Sequence, residues 1–208
     1  IFKHLSLFCT NFSKVLAIPE YLSFCAYCFL LTLFTGACPQ IFNLIEKDVL
    51  HLSKVEMVFI GNLLVVGALA GFFLGGRLVD RFGTKYVFLW CHFGFGLILF
   101  LFLWRDVFPG EVQIIVGILT ILFGMVQAAS SIAMTSETLV LIPVENKSLA
   151  TGLWFTLYSG GIGLSGVLSG QALELGLLSD SWTLLDQPLS HYDGLLLICG
   201  TMILLMTV

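Results

Sequence analysis

The chain has 208 residues with 13 acidic and 9 basic side chains, a formal net charge of −4. Charged residues make up 11% and hydrophobic residues 58%, whereas roughly a quarter of an ordinary soluble domain is charged. A water-soluble fold needs more polar surface than this to cover its core. A disordered chain combines low hydrophobicity with high net charge. Both classes are therefore excluded, and the composition indicates a polytopic membrane protein.

Six apolar runs separated by polar segments follow in chain order, and we interpret each as a membrane-spanning helix. We name them spans a to f, at about residues 21–44, 55–75, 86–104, 112–141, 149–173 and 194–208. Each span needs about 20 apolar residues, so six spans use roughly 120 residues and leave no room for a second soluble domain. The predicted fold class is all-α, with a segment at residues 1–19 before a six-helix domain at residues 20–208.

The orientation is predicted from the Lys and Arg residues between spans, because cytoplasmic loops carry the excess of these residues. The segment before span a and the b–c and d–e connections hold Lys3, Lys14, Arg77, Arg81, Lys85 and Lys147. The opposite side holds Lys47, Lys54 and Arg105. We therefore expect the N-terminal segment to be cytoplasmic, in a cell membrane or an inner membrane.

The cysteine and histidine residues give no pattern of a metal site or a catalytic centre. Cys25 and Cys28 form a C-x-x-C pair inside span a, without a second pair or a histidine nearby, and free cysteine packs readily as a small hydrophobic residue. His4, His51, His92 and His191 are scattered, and no paired catalytic acids accompany them. We expect no cofactor, no metal and no enzymatic activity.

The connection between spans b and c is the most specific motif in the sequence. It reads Gly76-Arg77-Leu78-Val79-Asp80-Arg81-Phe82-Gly83-Thr84-Lys85 and resembles the signature G-x-L-A-D-R-x-G-R-K of the major facilitator superfamily. Thr84 replaces the second basic residue of that signature. The position agrees with the resemblance, since the family's signature joins the second and third helices of a six-helix half on the cytoplasmic side.

This resemblance implies half of a twelve-span transporter, built from two inverted three-helix repeats. The first residue is Ile1 and span f is short, at about 22 Å of helical rise, so we expect a fragment that corresponds to the C-terminal half. The implied function is secondary active transport of a small solute by alternating access. The implied partners are that solute, a coupled proton or sodium ion, the lipid bilayer and the missing six-helix half, with no nucleic acid.

The family fold places its first and fourth helices around a central cavity, so spans a and d are expected to carry the substrate site. Polar side chains at mid-span are costly in lipid and tend to face a cavity or another helix. Thr35, Gln127 and Ser131 are the predicted cavity residues, and the last two share a helix face. Glu137 lies nearer the cytoplasmic end of span d, as a cation site or an interfacial acid. No buried basic residue is expected in this half.

The signature residues Gly76, Asp80, Arg81, Gly83 and Lys85 are predicted to take part in conformational gating. Gly76 would let the helix end approach a neighbour, Gly83 would adopt positive φ, and Asp80 would face a helix N-terminus of the other half. Close helix packing is expected at Gly67, Gly71 and Gly75 in span b, and in span e at Ser159 with Gly163 and at Gly166 with Gly170.

A second function stays open at this point. A structural or channel-like membrane protein that transports nothing would also explain the apolar composition and the glycines. It would not explain the signature residues, and a second six-span half with a similar motif would favour the carrier.

Overall fold

The structure is a computed structural model that describes residues 11–107, 110–184 and 187–207. Residues 1–10, with Lys3 and most of the predicted cytoplasmic segment, lie outside the described residues, and residues 11–16 are helical. The α-helices that follow are α1 Pro19–Thr35, α2 Cys38–Leu44, α3 Lys54–Phe82, α4 Thr84–Leu103, α5 Val112–Leu141, α6 Lys147–Glu174 and α7 His191–Leu205. Short 3₁₀ helices cover Arg105–Val107 and Val144–Asn146, and a π-helix covers Ile45–Val49.

Four stretches of the described chain are long and apolar enough to cross a membrane, at Pro19–Val49, Lys54–Phe82, Thr84–Leu103 and Val112–Leu141. These correspond to spans a to d. α6 has 28 residues but is not among the four, because its many glycine and serine residues lower its hydropathy. α7 is apolar but has 15 residues, fewer than a typical span requires. The six predicted helices are present, and the count of six spans remains a prediction.

The prediction of an all-α protein was incomplete. The polar stretch before span f contains an antiparallel hairpin of two strands, β1 Ser181–Leu184 and β2 Gln187–Ser190. Ser181 pairs with Ser190, and Trp182 pairs with Leu189. The Trp182 indole Nε1 donates to the Ser190 carbonyl at 3.1 Å, which fixes the hairpin against the start of α7.

Helix pairs from opposite halves of the sequence make the main contacts. α1 packs against α6, α3 against α5, and α4 against both α5 and α7. The largest buried cluster lies between these pairs and includes Phe42, Phe95, Phe102 and Phe123. The Phe42 ring stacks on Phe102 at a centroid distance of 4.2 Å. The core therefore joins the beginning of the chain to helices that follow much later.

The predicted close packing at the glycines of span b is confirmed, and the structure shows that the partner helix is α5. Gly67, Gly71 and Gly75 are the buried small residues of α3, and they lie directly against the α5 backbone. A Cβ atom at Gly75 would lie 2.7 Å from the Cα atom of Ala129, closer than real side chains approach. The two helices thus meet at backbone distance, as small-residue packing in membranes allows.

The predicted glycine contacts of span e were wrong in position. A Cβ atom at Gly163, Gly166 or Gly170 would meet no described atom within 4 Å. The contact face of α6 is formed instead by Gly161 and Ser165, which are buried against α1. Because these two residues are four apart, they share the face that looks toward α1.

The outward faces of α3 and α4 are apolar. Along one side of α4, the exposed residues are Tyr86, Leu89, Trp90, Phe93 and Leu97, together with Trp104 directly after the helix. Exposed apolar surface of this extent is unusual on a soluble monomer and fits contact with lipid. Tyr86 and Trp104 lie near opposite ends of the helix, where aromatic rings prefer the membrane interfaces.

Candidate functional site

A small cavity of about 60 Å³ lies where the first span is interrupted. Thr35 of α1, Phe95 of α4, Gln127 and Ser130 of α5, and Tyr158 of α6 contribute to its lining. Four helices therefore meet at this point, near the middle of the bundle. Discontinuous helices at mid-membrane are a common way to form substrate sites in transporters, because they free backbone groups for binding.

The interruption follows from the local sequence. Pro39 has no backbone N–H, so it cannot continue the hydrogen-bond ladder of α1, and α2 begins separately at Cys38. Gly36 allows close approach to α6, since a Cβ atom there would lie 2.9 Å from the Cα atom of Ile162. The N–H of Ala37, which lies in the break, donates to Ser165 Oγ at 2.9 Å. α6 thus completes the backbone hydrogen bonding that the break leaves open.

Two of the three predicted cavity residues, Thr35 and Gln127, line this cavity together. The third, Ser131, is absent from its lining, and its neighbour Ser130 takes that position. Consecutive helical residues differ in direction by about 100°, so the choice between the two serines depends on which face of span d points to the cavity. Ser130 is also a polar residue of span d, and nothing in the sequence alone favours it over Ser131.

The hydrogen-bonding state differs among the polar side chains of the cavity. The Thr35 hydroxyl donates to the Leu31 carbonyl at 2.9 Å, and the Thr32 hydroxyl donates to backbone carbonyls that include Tyr158 at 3.1 Å. Ser130 is 1% exposed, and its Oγ atom has no partner among the described residues. A buried hydroxyl without a partner is costly. Ser130 is therefore a polar group of the cavity that is free to bind another molecule.

The described lining of this cavity contains no charged side chain. Its polar members are hydroxyl and amide groups, beside the aromatic rings of Phe95 and Tyr158. The Trp154 ring stacks on Tyr158 at a centroid distance of 5.4 Å and extends the aromatic wall along α6. Such a surface recognises hydrogen-bonding and apolar groups of a ligand rather than its net charge.

The signature residues lie at one end of the bundle, and most of them are helical. α3 continues to Phe82, so the predicted connection from Gly76 is reduced to Gly83 alone. Gly83 has φ of +83°, which confirms the predicted positive-φ turn. A Cβ atom at Gly76 would meet no described atom within 4 Å, so the predicted close approach at that residue is absent from the described part of the chain.

The charged signature residues Asp80, Arg81 and Lys85 are exposed at the junction of α3 and α4. Asp80 has no basic partner within ion-pair distance among the described residues. Thr84, which replaces a basic residue of the signature, donates its hydroxyl to Glu137 Oε2 at 2.5 Å. This hydrogen bond connects the beginning of α4 to the last turns of α5.

A larger cavity of about 480 Å³ opens beside this junction and includes Tyr27, Thr84, Lys85, His92 and Glu137 in its lining. His92 is 1% exposed, and its Nε2 atom lies 2.5 Å from the Tyr27 hydroxyl. Its Nδ1 atom lies 2.6 Å from the Phe88 carbonyl. Both ring nitrogens have neighbours, so His92 serves to hold α1 against α4.

A buried basic residue is present, which corrects the expectation that this half has none. Arg105 is 1% exposed, and its Nη1 and Nη2 atoms lie 2.5 and 3.2 Å from the two carboxylate oxygens of Asp193. From the sequence alone, Arg105 is one of three basic residues assigned to the side opposite the signature residues. Its charge is neutralised by Asp193, so it holds α7 against the end of α4 and does not bind an anion.

No group of three or more His, Cys, Asp and Glu side chains that could hold a metal occurs within the described ranges. Cys25 and Cys28 are buried free thiols in α1. Both lie close to aromatic residues of the core, where Phe24 and Tyr27 stack at a centroid distance of 6.5 Å. The C-x-x-C spacing follows one face of a helix.

The comparison with protein families gives one match. The family model for the Major Facilitator Superfamily matches residues 9–208, nearly the whole chain. Neither a curated protein nor a solved structure gives a significant match.

Proposed function

Since the chain belongs to the major facilitator superfamily, we propose that it forms one six-helix half of a secondary transporter. This half moves a small solute across a membrane by alternating access, together with a second half of the same kind. The family is one of transporters, and the apolar helices fit an integral membrane protein.

The pairing of helices supports two inverted three-helix repeats. In that arrangement, α1 corresponds to α5, α3 to α6, and α4 to α7. Exchange of the two repeats then turns the α1–α6 contact into the α5–α3 contact, which is also observed. The same exchange leaves the α4–α7 contact unchanged. Inverted repeats of this kind place the substrate near the bilayer midplane, at the interface of the repeats.

The observation that carries the substrate site is the cavity at the break between α1 and α2. We assign substrate contacts to Thr35 and Gln127, which were expected from the sequence, and to Ser130 in place of Ser131, which lies outside the lining of the cavity. Gln127 has a half-buried amide without a hydrogen-bond partner among the described residues. Such a group supports recognition of a hydroxyl or carbonyl on the solute. Coupling to a proton or a sodium ion belongs to the same proposal.

The exposed signature residues support a gating role. Asp80 lies on the last turn of α3, free of described ion pairs, so its carboxylate is available to a helix N-terminus of the second half. The Thr84–Glu137 hydrogen bond couples this junction to α5. Gly83 shapes the junction through its positive φ, Gly76 lies within α3 before it, and Arg81 and Lys85 give it positive charge.

The positive charge supports a cytoplasmic position for this junction and for the N-terminal segment. Arg77, Arg81 and Lys85 are exposed there, whereas Arg105 at the opposite end is buried and neutralised. Cytoplasmic ends of spans carry the excess of Lys and Arg. The variant Lys85→Cys places a thiol at this exposed position. It should react with an impermeant maleimide from the cytoplasmic side and not from outside intact cells.

Uptake into proteoliposomes that contain the complete protein tests the proposal. Labelled neutral, anionic and cationic solutes are compared with and without proton and sodium gradients. A carrier gives saturable uptake that is accelerated by the same solute on the opposite side. A channel gives flux without this exchange, and a structural protein gives none, so either result contradicts the proposal.

Gln127→Leu tests the site within that assay. Loss of one or two hydrogen bonds should weaken apparent affinity about tenfold, since each contributes about 0.5–1.5 kcal/mol. Gln171→Leu is the matched control, because Gln171 is an exposed amide on α6. Equal kinetics for the two variants would remove Gln127 from the substrate site.

A further inference from the structure

A buried carboxylic acid lies at the end of the bundle opposite the signature residues. We propose that Glu46 is a proton-binding site, which is protonated in the state described here and exchanges its proton with water when this end of the bundle opens. The reaction is the reversible transfer of a proton from hydronium to the carboxylate. Its consequence for transport rests on the proposed function, whereas the proton site itself does not.

The side chain of Glu46 is almost completely buried, although this residue lies in the segment between α2 and α3. Glu46 is 1% exposed, and its Oε2 atom has no hydrogen-bond partner within the described part of the chain. Asp48, two residues later, differs in both respects. It accepts a hydrogen bond from the Tyr192 hydroxyl at 2.8 Å, and its side chain is 37% exposed.

The helical register directs Glu46 toward the core. Cys38, Phe42 and Glu46 are four residues apart, so they share one face, and the first two are buried. Glu46 belongs to the π-helix Ile45–Val49. Single-turn π-helices are rare and occur frequently at functional sites. Two independent features, an unpartnered buried carboxyl and an unusual turn, therefore coincide at one residue.

The charges of the neighbouring segments do not compensate Glu46. The described titratable and charged groups at this end include Lys47, Asp48, His51, Lys54, Glu56, Arg105, Asp106, Glu111, Glu174, Asp180, His191, Tyr192 and Asp193. Arg105 is engaged by Asp193, and Lys47 lies 3.5 Å from Asp48. None of the described basic groups lies within ion-pair distance of Glu46.

An ionised carboxylate in this position would be shielded from solvent, without a hydrogen-bond donor to Oε2 among the described residues, which is strongly unfavourable. The neutral acid fits the packing as it stands. Deprotonation requires that water or a donor reaches residue 46, and this requires a change in the packing around the π-helix. A proton that binds one state better than the other shifts the balance between the two states. Glu46 thereby connects protonation to opening of this end.

Dicyclohexylcarbodiimide, which reacts with protonated carboxyl groups in apolar surroundings, tests the proton site. The complete protein in proteoliposomes is treated from about pH 5 to about pH 9, the range that covers buried carboxyl groups, and modified peptides are quantified by mass spectrometry. We expect labelling of Glu46 that exceeds labelling of Asp48 at low pH. Above its midpoint, this labelling should fall about tenfold per pH unit. Labelling that is independent of pH, or equal at the two residues, would overturn the proposal.

Two isosteric variants separate the site from its consequence. Glu46→Gln should remove the labelled peptide and abolish stimulation of uptake by a proton gradient, while exchange of solute across the membrane continues. Asp48→Asn is the matched control and should retain both the labelling and the stimulation. A stimulation that survives in Glu46→Gln would overturn the coupling role. Absence of any solute uptake by the unaltered protein would contradict the proposed function instead, and the labelling result would still decide the proton site.

Discussion

The buried pair of Arg105 and Asp193 offers a sharp test of the packing described here. Asp193 is 0% exposed, accepts hydrogen bonds from Arg105, and also accepts from the Ser190 N–H and hydroxyl at 2.8 Å each. Asp193→Asn keeps the size of the side chain and an oxygen that can accept the Ser190 N–H. The substitution therefore removes mainly the negative charge that faces Arg105.

The expected loss of stability follows from this geometry. Removing one partner of a buried ion pair leaves an uncompensated charge and costs about 3–5 kcal/mol. For a chain of this size, that corresponds to a lowering of Tm by roughly 6–20 °C. Arg105→Met leaves Asp193 charged but still hydrogen-bonded to Ser190, so its loss should be smaller. The double variant removes both charges and should be no less stable than Asp193→Asn alone.

Thermal unfolding of the complete protein in detergent, followed by tryptophan fluorescence, measures these differences. Asp106→Asn is the matched control, because Asp106 lies 3.7 Å from Arg105 Nε but its side chain is 38% exposed. An exposed pair contributes about 0–1 kcal/mol, so this variant should unfold close to the unaltered protein. Equal Tm values for Asp193→Asn and Asp106→Asn, or additive losses in the double variant, would refute the assigned pair.

Three further predictions concern backbone contacts and the signature residues. Gly71→Ala should lower stability by about 1–3 kcal/mol in thermal unfolding, because its Cβ atom would meet the Met125 carbonyl of α5. Gly170→Ala, with no described atom within 4 Å, should not lower it. Gly83→Ala should cost about 1–2 kcal/mol in the same assay, since φ at this residue is +83°. Asp80→Asn should slow uptake and increase labelling of cavity cysteines from the cytoplasmic side, and an unchanged labelling ratio with normal uptake would exclude a gating role.

The helices were predictable where apolar runs are long and bounded by polar residues. The pattern indicated α5 with the bounds Val112–Leu141, as observed. It ended span b at residue 75, although α3 continues to Phe82. Charged residues such as Asp80 and Arg81 lower hydropathy without breaking a helix, so hydropathy marks the edge of the membrane and not the end of the helix. The positive φ at Gly83 marks the helix end better.

The candidate site was predictable to the level of the helix and not of the helix face. Thr35 and Gln127 were chosen as polar mid-span residues, and they meet at the cavity. The choice between Ser130 and Ser131 depends on the rotation of α5, which packing against α3 and α4 determines. The Arg105–Asp193 pair joins residues that are 88 positions apart, and nothing local in either segment indicates the other. Glu46 directly precedes the charged residues Lys47 and Asp48, so the sequence alone assigns it to the polar connection after span a.

The contacts within this half also limit how it can move. α3 and α5 touch at backbone level through Gly67, Gly71 and Gly75, so sliding one helix along the other would bring larger side chains into contact with the backbone. α1 and α6 are joined in the same way at Gly161, and the Ala37–Ser165 hydrogen bond crosses the helix break. Interfaces packed this closely have discrete arrangements and do not deform continuously. We therefore expect alternating access to proceed by movement of this half as a body, with local change restricted to segments such as the π-helix at Glu46. If Glu46 binds a proton as proposed, protonation would act on this segment and would favour one orientation of the half over the other.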